Sequence, residues 1–267
     1  MKYIATISGG KDSVTMCDLL LKNGYPVDYI IFQDTLMEFD LMYHYIEKLK
    51  SYFKNRYKKE IIVTKPRTTF EHWCYGVIND KTSKFDGCIR GIPMVWSEPC
   101  YWRREAKVKP SEELIESLIG CYGERKIYIG YTLDERTRIQ KDEKLLYPLI
   151  TEFKMTERDC KHYLINEEME NPLYKFFNRT GCGMCPGQSE KAWYQVWKNF
   201  KDMWTYMVLV ENRLDQLEKS GIGIKNKYWF TKFRTCADME KLFKKMEKQG
   251  SLFELSDEPL KDCFCKI

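Results

Sequence analysis

Short apolar runs alternate with amphipathic stretches along the first half of the chain. Tyr3 to Ile7 reads as a strand, and Ser13 to Lys22 as a helix whose apolar face carries Val14, Cys17, Leu19, Leu20 and Leu21, closed by Asn23-Gly24. Val27 to Phe32 follows as a second strand. Leu41 to Phe53 is a second helix, with Met42, Tyr45, Ile46, Leu49 and Phe53 at helical spacing, and Glu60 to Thr64 a third strand. Strand, helix, strand, helix, strand with short links predicts a parallel sheet with right-handed crossovers.

The regularity then fails. Phe70 to Pro110 is rich in Trp, Gly, Pro and Cys, and a loop region of this length in a compact domain is more often functional than idle. Helix returns at Ser111 to Ile119 and a buried strand at Lys126 to Gly130. A further helix is expected over Thr156 to Glu168, with Thr156 as N-cap and Asp159 completing a capping-box variant. Beyond Cys185 the pattern is helical and aromatic. The expected division is a nucleotide-binding α/β domain over 1–150 and a helical, loop-rich, Cys-containing part over 151–267.

Length and charge narrow this picture only slightly. The 267 residues are 43% hydrophobic and 31% charged, enough for one sizeable α/β core with an appendage. A net charge of +5 suits a nucleotide or nucleic-acid partner without requiring one. No apolar stretch is long enough to span a bilayer, so no membrane partner is expected. Met1 to Ile7 is too short for a signal peptide before the glycine turn, so a cytoplasmic, reducing setting is expected. There the eleven cysteines would not build a disulfide framework.

The candidate chemistry begins at Ser8-Gly9-Gly10-Lys11-Asp12-Ser13, between the first strand and first helix. Two glycines let the backbone turn sharply and bring N–H groups to an anion. The helix N-terminus adds its partial positive charge. Ser8 and Ser13 offer hydroxyls, Lys11 a mobile cation, and Asp12 a cap or a ligand for Mg²⁺ beside a pyrophosphate. Neither a Walker A loop nor the dinucleotide fingerprint fits the glycine spacing.

Ser8 to Ser13 resembles the SGGxDS PP-loop of the adenine nucleotide alpha-hydrolase-like superfamily, and within it the phosphoadenosine phosphosulfate reductase-like proteins. Phe32-Gln33-Asp34-Thr35-Leu36-Met37-Glu38-Phe39 is similar to that family's DTGxxF segment, and Gly130 to Arg138 to its GxRxDExxR segment. Tyr147-Pro148-Leu149, Pro172-Leu173-Tyr174 and Cys182-Gly183-Met184-Cys185-Pro186 follow in the family's order. The resemblance implies a twisted parallel sheet with helices on both faces. It also implies an adenine nucleotide handled at its phosphate or sulfate end, with backbone around Phe32, Asp34 and Thr35, and Gly130, bordering it. Lys11, Asp12, Arg136 and Arg138 become the catalytic candidates, the two arginines facing phosphate or substrate anions. The alternative for both arginines is a surface ion pair with a nearby acid.

Cys182 and Cys185 stand across a tight turn, half of a zinc or iron–sulfur site. Cys100 opens a stretch similar to one that begins with paired cysteines in iron–sulfur members of the family, but Pro99 stands where the first of that pair would be. Cys88 is then the fourth candidate ligand, for a [4Fe-4S] cluster or Zn²⁺. Cys17, Cys74, Cys121, Cys160 and Cys236 fit buried packing better. The tail Asp262-Cys263-Phe264-Cys265 departs from the ECGLH context of the reductases' nucleophilic cysteine, though a flexible tail thiol could attack a sulfonate.

His44, His72 and His162 lack ligand spacing and read as structural or surface groups. The run Trp193 to Tyr206 interleaves lysines, as single-stranded nucleic-acid binders do, yet its helical spacing favours core packing. The sequence thus points to an enzyme using ATP or a related adenine nucleotide with Mg²⁺, by ATP-dependent activation linked to sulfur transfer. The second substrate would be a nucleic acid or a small sulfur-accepting metabolite. Sulfonucleotide reduction is the alternative, and a non-catalytic nucleotide-sensing or nucleic-acid-binding module another.

Overall fold

The structure, a computed structural model, describes residues 1–93, 100–121 and 123–256. Its elements in chain order are β1 (Lys2–Ile7), α1 (Lys11–Lys22), β2 (Tyr29–Gln33), α2 (Asp40–Tyr57), β3 (Ile61–Thr64), α3 (Phe70–Cys74), α4 (Tyr101–Arg103) and α5 (Lys109–Ile119). After these come β4 (Arg125–Tyr128), β5 (Leu145–Leu146), α6 (Pro148–Thr151), α7 (Glu157–Asn166), α8 (Glu190–Asn199), α9 (Lys201–Lys219) and α10 (Cys236–Gln249). A π-helical turn, Arg104–Val108, leads into α5, and 3₁₀ turns occupy Leu133–Arg138 and Pro172–Lys175.

The apolar runs at Ile4–Ala5 and Ile30–Phe32 are buried because helices flank the sheet they form. Strand order is β3-β2-β1-β4-β5, with every pairing parallel. Ile7 lies opposite Phe32 and Ile4 opposite Ile127. On one side Ile4 and Ile31 pack with Ile115 of α5. Because β1 sits between β2 and β4, strand order reverses there, and the carboxyl ends of β1 and β4 form the switch point where open α/β sheets bind ligands. Among the described residues, no helix is long and apolar enough to cross a membrane.

Two compact units divide the chain: Met1–Arg67 with Glu105–Cys182, and the described residues of 68–104 with 183–256. The expected boundary near Thr151 coincides with neither division. The segment after Thr151 folds back onto the first unit, since α7 packs on α1. Thr15 Oγ1 donates to the Cys160 carbonyl at 3.2 Å, and Tyr45 Oη to that of Met169 at 2.6 Å. Loss of the strand–helix rhythm in the sequence marks the end of sheet building, not the end of the unit. The capping box at Thr156 and Asp159 is present as expected.

In the second unit, α8, α9 and α10 enclose an aromatic core. Trp193 meets Phe230 edge-on at 5.0 Å, and Trp197 and Trp204 pack on Phe243. The aromatic run after Cys185 is therefore largely interior, with Trp193 and Trp204 almost fully buried.

Candidate functional site: a glycine turn at the switch point

Helix α1 begins at Lys11, two residues earlier than its apolar pattern suggests, so Lys11, Asp12 and Ser13 form its opening turn. Gly10 is the N-cap and brings no side-chain acceptor to the helix amides. Gly9 adopts φ +74°, and a Cβ there would stand 2.4 Å from Met42 Sδ, so neither conformation nor space admits a side chain. Inside the turn, Ser8 N–H donates to Ser13 Oγ at 3.1 Å, and Ser13 Oγ lies 3.1 Å from both Ser8 Oγ and the Gly10 carbonyl. The serines hold the loop's shape as well as offering hydroxyls.

Residues far along the chain complete the cradle. The fully buried Asn171 donates from Nδ2 to the Gly9 carbonyl at 2.8 Å. The Lys11 N–H donates to Tyr174 Oη at 2.7 Å, and Thr180 Oγ1 lies 2.9 Å from where a Cβ on Gly10 would be. Gly130, at the end of β4, meets the same turn from the other side: a Cβ on it would lie 2.9 Å from Ser13 Cα. Sequence reasoning placed Gly130 beside the nucleotide; the structure shows it admitting the first turn of α1.

Carboxylates surround the cation. Lys11 Nζ lies 2.6 Å from Glu157 Oε2 and 3.8 Å from Asp12 Oδ1. Burial pulls the Lys11 pKa down, but Asp12, Tyr174 and Glu157 together outweigh it and the value is raised. Oxygens of Asp12, Glu135 and Glu157 all lie within 4.8 Å of one another. Three converging carboxylates are a donor set that suits a hard divalent cation such as Mg²⁺. Among the described residues this is the one such group of His, Cys, Asp or Glu.

Asp34 is buried at the end of β2, where Oδ1 accepts from the Leu36 N–H at 2.8 Å and from Tyr43 Oη at 3.0 Å. Its own N–H goes to the Thr64 carbonyl. Thr35 Oγ1 donates to Glu38 at 2.7 Å, and the Phe32 ring is core. Arg138 is paired with Glu135 at 2.6 Å and lies over the Tyr131 ring, whereas Arg136 is exposed.

The four candidate cysteine ligands are divided between the two units. Cys182 lies in the first unit, where its thiol donates to the buried Glu38. Burial pushes the Glu38 carboxyl up, against the opposing pull of Lys107, Thr35 and Cys182. In the second unit, Cys88, Cys100 and Cys185 form no group of three converging ligands among the described residues. Cys88 Sγ lies beside Gly223. Cys17, Cys74, Cys160 and Cys236 are buried as expected, but Cys121 is exposed, because it follows α5 in a turn at Gly120. Cys263 and Cys265 lie outside the described residues.

A parallel sheet that reverses order at β1, with a Ser-Gly-Gly turn feeding a helix at that point, defines an α/β protein of the PP-loop class. The phosphoadenosine phosphosulfate reductase domain matches residues 2–188, and the chain belongs to that family. Among solved structures it is similar to a phosphoadenylyl-sulfate (PAPS) reductase from Candida auris in a phosphate complex. Identity is 16% and the TM-score 0.46, with 68% of this chain and 81% of that chain covered. No curated protein sequence matches the chain. Asn171, Tyr174, Thr180, Glu135 and Glu157 escaped the residue-level reading; Tyr174 and Glu135 carried a signal only as parts of the segments Pro172-Leu173-Tyr174 and Gly130 to Arg138 in the family's motif order.

Proposed function

We propose that the first unit binds an adenine nucleotide with its phosphates on the Ser8–Ser13 turn, and that the chain is an enzyme acting at the phosphate or sulfate end. The finer reading is ATP-dependent activation linked to sulfur transfer. A nucleophile on the second substrate forms a bond to the α-phosphorus, the bond to the bridging oxygen breaks, and pyrophosphate leaves with the electron pair. The observation that carries this reading is the convergence of Asp12, Glu135 and Glu157 beside Lys11 at the mouth of the turn. Mg²⁺ held by those carboxylates would offset the charge of a triphosphate and of departing pyrophosphate. The α1 amides and the Lys11 ammonium would orient the same oxygens, and Ser8 and Ser13 would keep the turn in shape.

Sulfonucleotide reduction is the second reading, and membership of the phosphoadenosine phosphosulfate reductase domain family favours it. One set of assays separates the two. The full chain is incubated with ATP and Mg²⁺, together with sulfide and either RNA, DNA or a small thiol, and pyrophosphate is measured. In parallel it is given phosphoadenosine phosphosulfate with a dithiol reductant, and sulfite is measured. ATP-dependent pyrophosphate release that is lost in a Ser8→Ala/Asp12→Ala double variant supports the first reading; sulfite release supports the second. Nucleotide binding with neither product would leave a non-catalytic nucleotide-sensing module. Absence of nucleotide binding would remove the proposal altogether.

A further inference from the structure

Among the amides that open α1, that of Lys11 already has an acceptor. Its N–H donates to Tyr174 Oη at 2.7 Å, across 163 positions of sequence. The Lys11 ammonium also lies 5.6 Å from the centre of the Tyr174 ring. A phosphate reaching this corner of the turn therefore meets a phenol before it meets the amide. Either the phenol moves aside, or it takes the amide's place as donor.

The mounting of Tyr174 favours the second course. It sits in the 3₁₀ turn Pro172–Lys175, whose start is tied to the cradle and to itself. Asn171 Nδ2 donates to the Gly9 carbonyl at 2.8 Å, the Leu173 N–H to Asn171 Oδ1 at 2.9 Å, and the Tyr174 N–H to the Asn171 carbonyl at 3.1 Å. Asn171 and Leu173 are fully buried, and the proline ring between them fixes its own φ. Displacing this turn would release Gly9 as well, so the phenol belongs to the wall of the cradle.

Its hydroxyl also has a proton to give. Burial raises the Tyr174 pKa, against the pull of Lys11 and of hydrogen bonds from the Lys11 N–H and Thr180, so the phenol is neutral at physiological pH. Tyr174 Oη accepts those bonds and donates to no partner among the described residues. Gly10 permits the arrangement. Its φ of −79° suits any residue, so space and not conformation calls for glycine. A Cβ there would stand 2.9 Å from Thr180 Oγ1, 3.3 Å from Ser8 Oγ and 3.6 Å from Tyr174 Oη. Three hydroxyls thus gather at the start of α1, all from the first unit.

We propose that Tyr174 is a ligand-binding residue of the phosphate turn, its O–H donating to a phosphate or sulfate oxygen of the nucleotide in place of the Lys11 N–H that it occupies. A bond from a neutral hydroxyl to an anion is charge-assisted, so the exchange costs the site little. Thr180, by donating to the same phenol oxygen, leaves the phenolic proton directed at the ligand. The inference rests on the nucleotide reading above and adds to it a donor that no helix amide supplies.

The test uses the full chain with pyrophosphate and Mg²⁺, followed by isothermal titration. Tyr174→Phe keeps the ring beside the Lys11 ammonium, removes the O–H and frees the Lys11 N–H. Net of that exchange, pyrophosphate binds about fivefold more weakly. A second measurement reads the contact directly in the parent. With tyrosine labelled at ¹³Cζ, pyrophosphate moves one resonance downfield, as a phenol donating to an anion does, and the ligand-free spectrum of Tyr174→Phe lacks that resonance. Equal or tighter binding by Tyr174→Phe would overturn the proposal, tighter binding marking the phenol as a plug on the amide. So would the absence of a downfield shift in the parent, even should the variant fail to fold. A parent that binds no pyrophosphate would instead remove the nucleotide reading, and this proposal with it.

Discussion

The ammonium of Lys11, the first residue of α1, lies 2.6 Å from the carboxylate of Glu157, the first residue of α7. The pair joins two helix starts across 146 positions of sequence at the mouth of the phosphate turn. Acids at helix N-termini are favourable in themselves, and here Asp12 and Glu157 also hold a cation in place. Without a ligand, Lys11 is therefore oriented but already partly neutralised.

Opposite effects of two substitutions follow from that pairing. Lys11→Met removes a charge-assisted contact worth about 1.5–3 kcal/mol, so pyrophosphate binding should weaken by at least about tenfold. Glu157→Gln releases the ammonium and removes a nearby negative charge, so in EDTA pyrophosphate should bind several-fold tighter. With Mg²⁺ present the same Gln variant should bind more weakly, because one of three carboxylates is gone. Isothermal titration with and without Mg²⁺ reads all of this. Shifts in the same direction for both variants in EDTA would show that Lys11 does not meet phosphate.

Gly130→Ala tests the other wall of the cradle. The added methyl would stand 2.9 Å from Ser13 Cα and 3.0 Å from its nitrogen, both backbone atoms that cannot rotate away. Overpacking of this kind costs about 1–3 kcal/mol. In a chain of this size each kcal/mol lowers the melting midpoint by about 2–4 °C. Nucleotide affinity should fall as well, because relief requires moving the α1 amides. A variant with parental melting and affinity would mean that the turn is more pliant than its contacts suggest.

The sheet and the turn were readable because each depends on local pattern: unbroken apolar strands, and glycines at a strand end before a helix. The partners of the turn were not. Asn171, Tyr174 and Glu157 look like ordinary loop or helix-start residues, and only the return of α7 against α1 brings them to Gly9 and Lys11. The pairing of Arg138 was open to reading, since Glu135 lies one helical turn before it. For the four candidate cysteines, spacing suggested shared ligation, whereas neighbours such as Glu38 for Cys182 and Gly223 for Cys88 leave no trace in spacing.

Stability of the first unit should depend on one buried carboxylate. Asp18, on α1, is fully buried and accepts hydrogen bonds from Tyr52 at 3.0 Å, Tyr57 at 2.8 Å and Tyr163 at 2.5 Å. The tyrosines come from α2 and α7, so a single side chain ties three helices together. Asp18→Ala would remove the shared acceptor of three half-buried hydroxyls, of which Tyr52 keeps its contact with Arg56, and should cost roughly 3 kcal/mol, the upper part of the range of about 1.5–3 kcal/mol for hydrogen bonds to a charged group. Tyr57→Phe removes one donor and should cost about 1–2 kcal/mol. Urea denaturation followed by far-UV circular dichroism measures both, and a loss for Asp18→Ala no larger than for Tyr57→Phe would contradict the shared network.

A pH dependence is expected from the second unit. Glu211 on α9 accepts the Cys236 N–H at 2.8 Å through Oε2. Burial pushes its carboxyl from the ordinary 4.5 up to about 7, against the opposing pull of hydrogen bonds from Cys236 and the Trp229 backbone. Between about pH 4.5 and 7 the folded chain keeps a proton that the unfolded chain has released. The stability linked to this group is therefore fully present below pH 4.5, is lost as pH rises through 7, and changes no further above it. Glu211→Gln cannot ionise and should lack that slope, so at pH 8 it should gain on the parent by on the order of 2 kcal/mol relative to pH 5. Melting curves of both proteins at pH 5, 6, 7 and 8 give the comparison. Parallel profiles across that range would mean that Glu211 titrates like an exposed acid and that its burial is relieved by solvent.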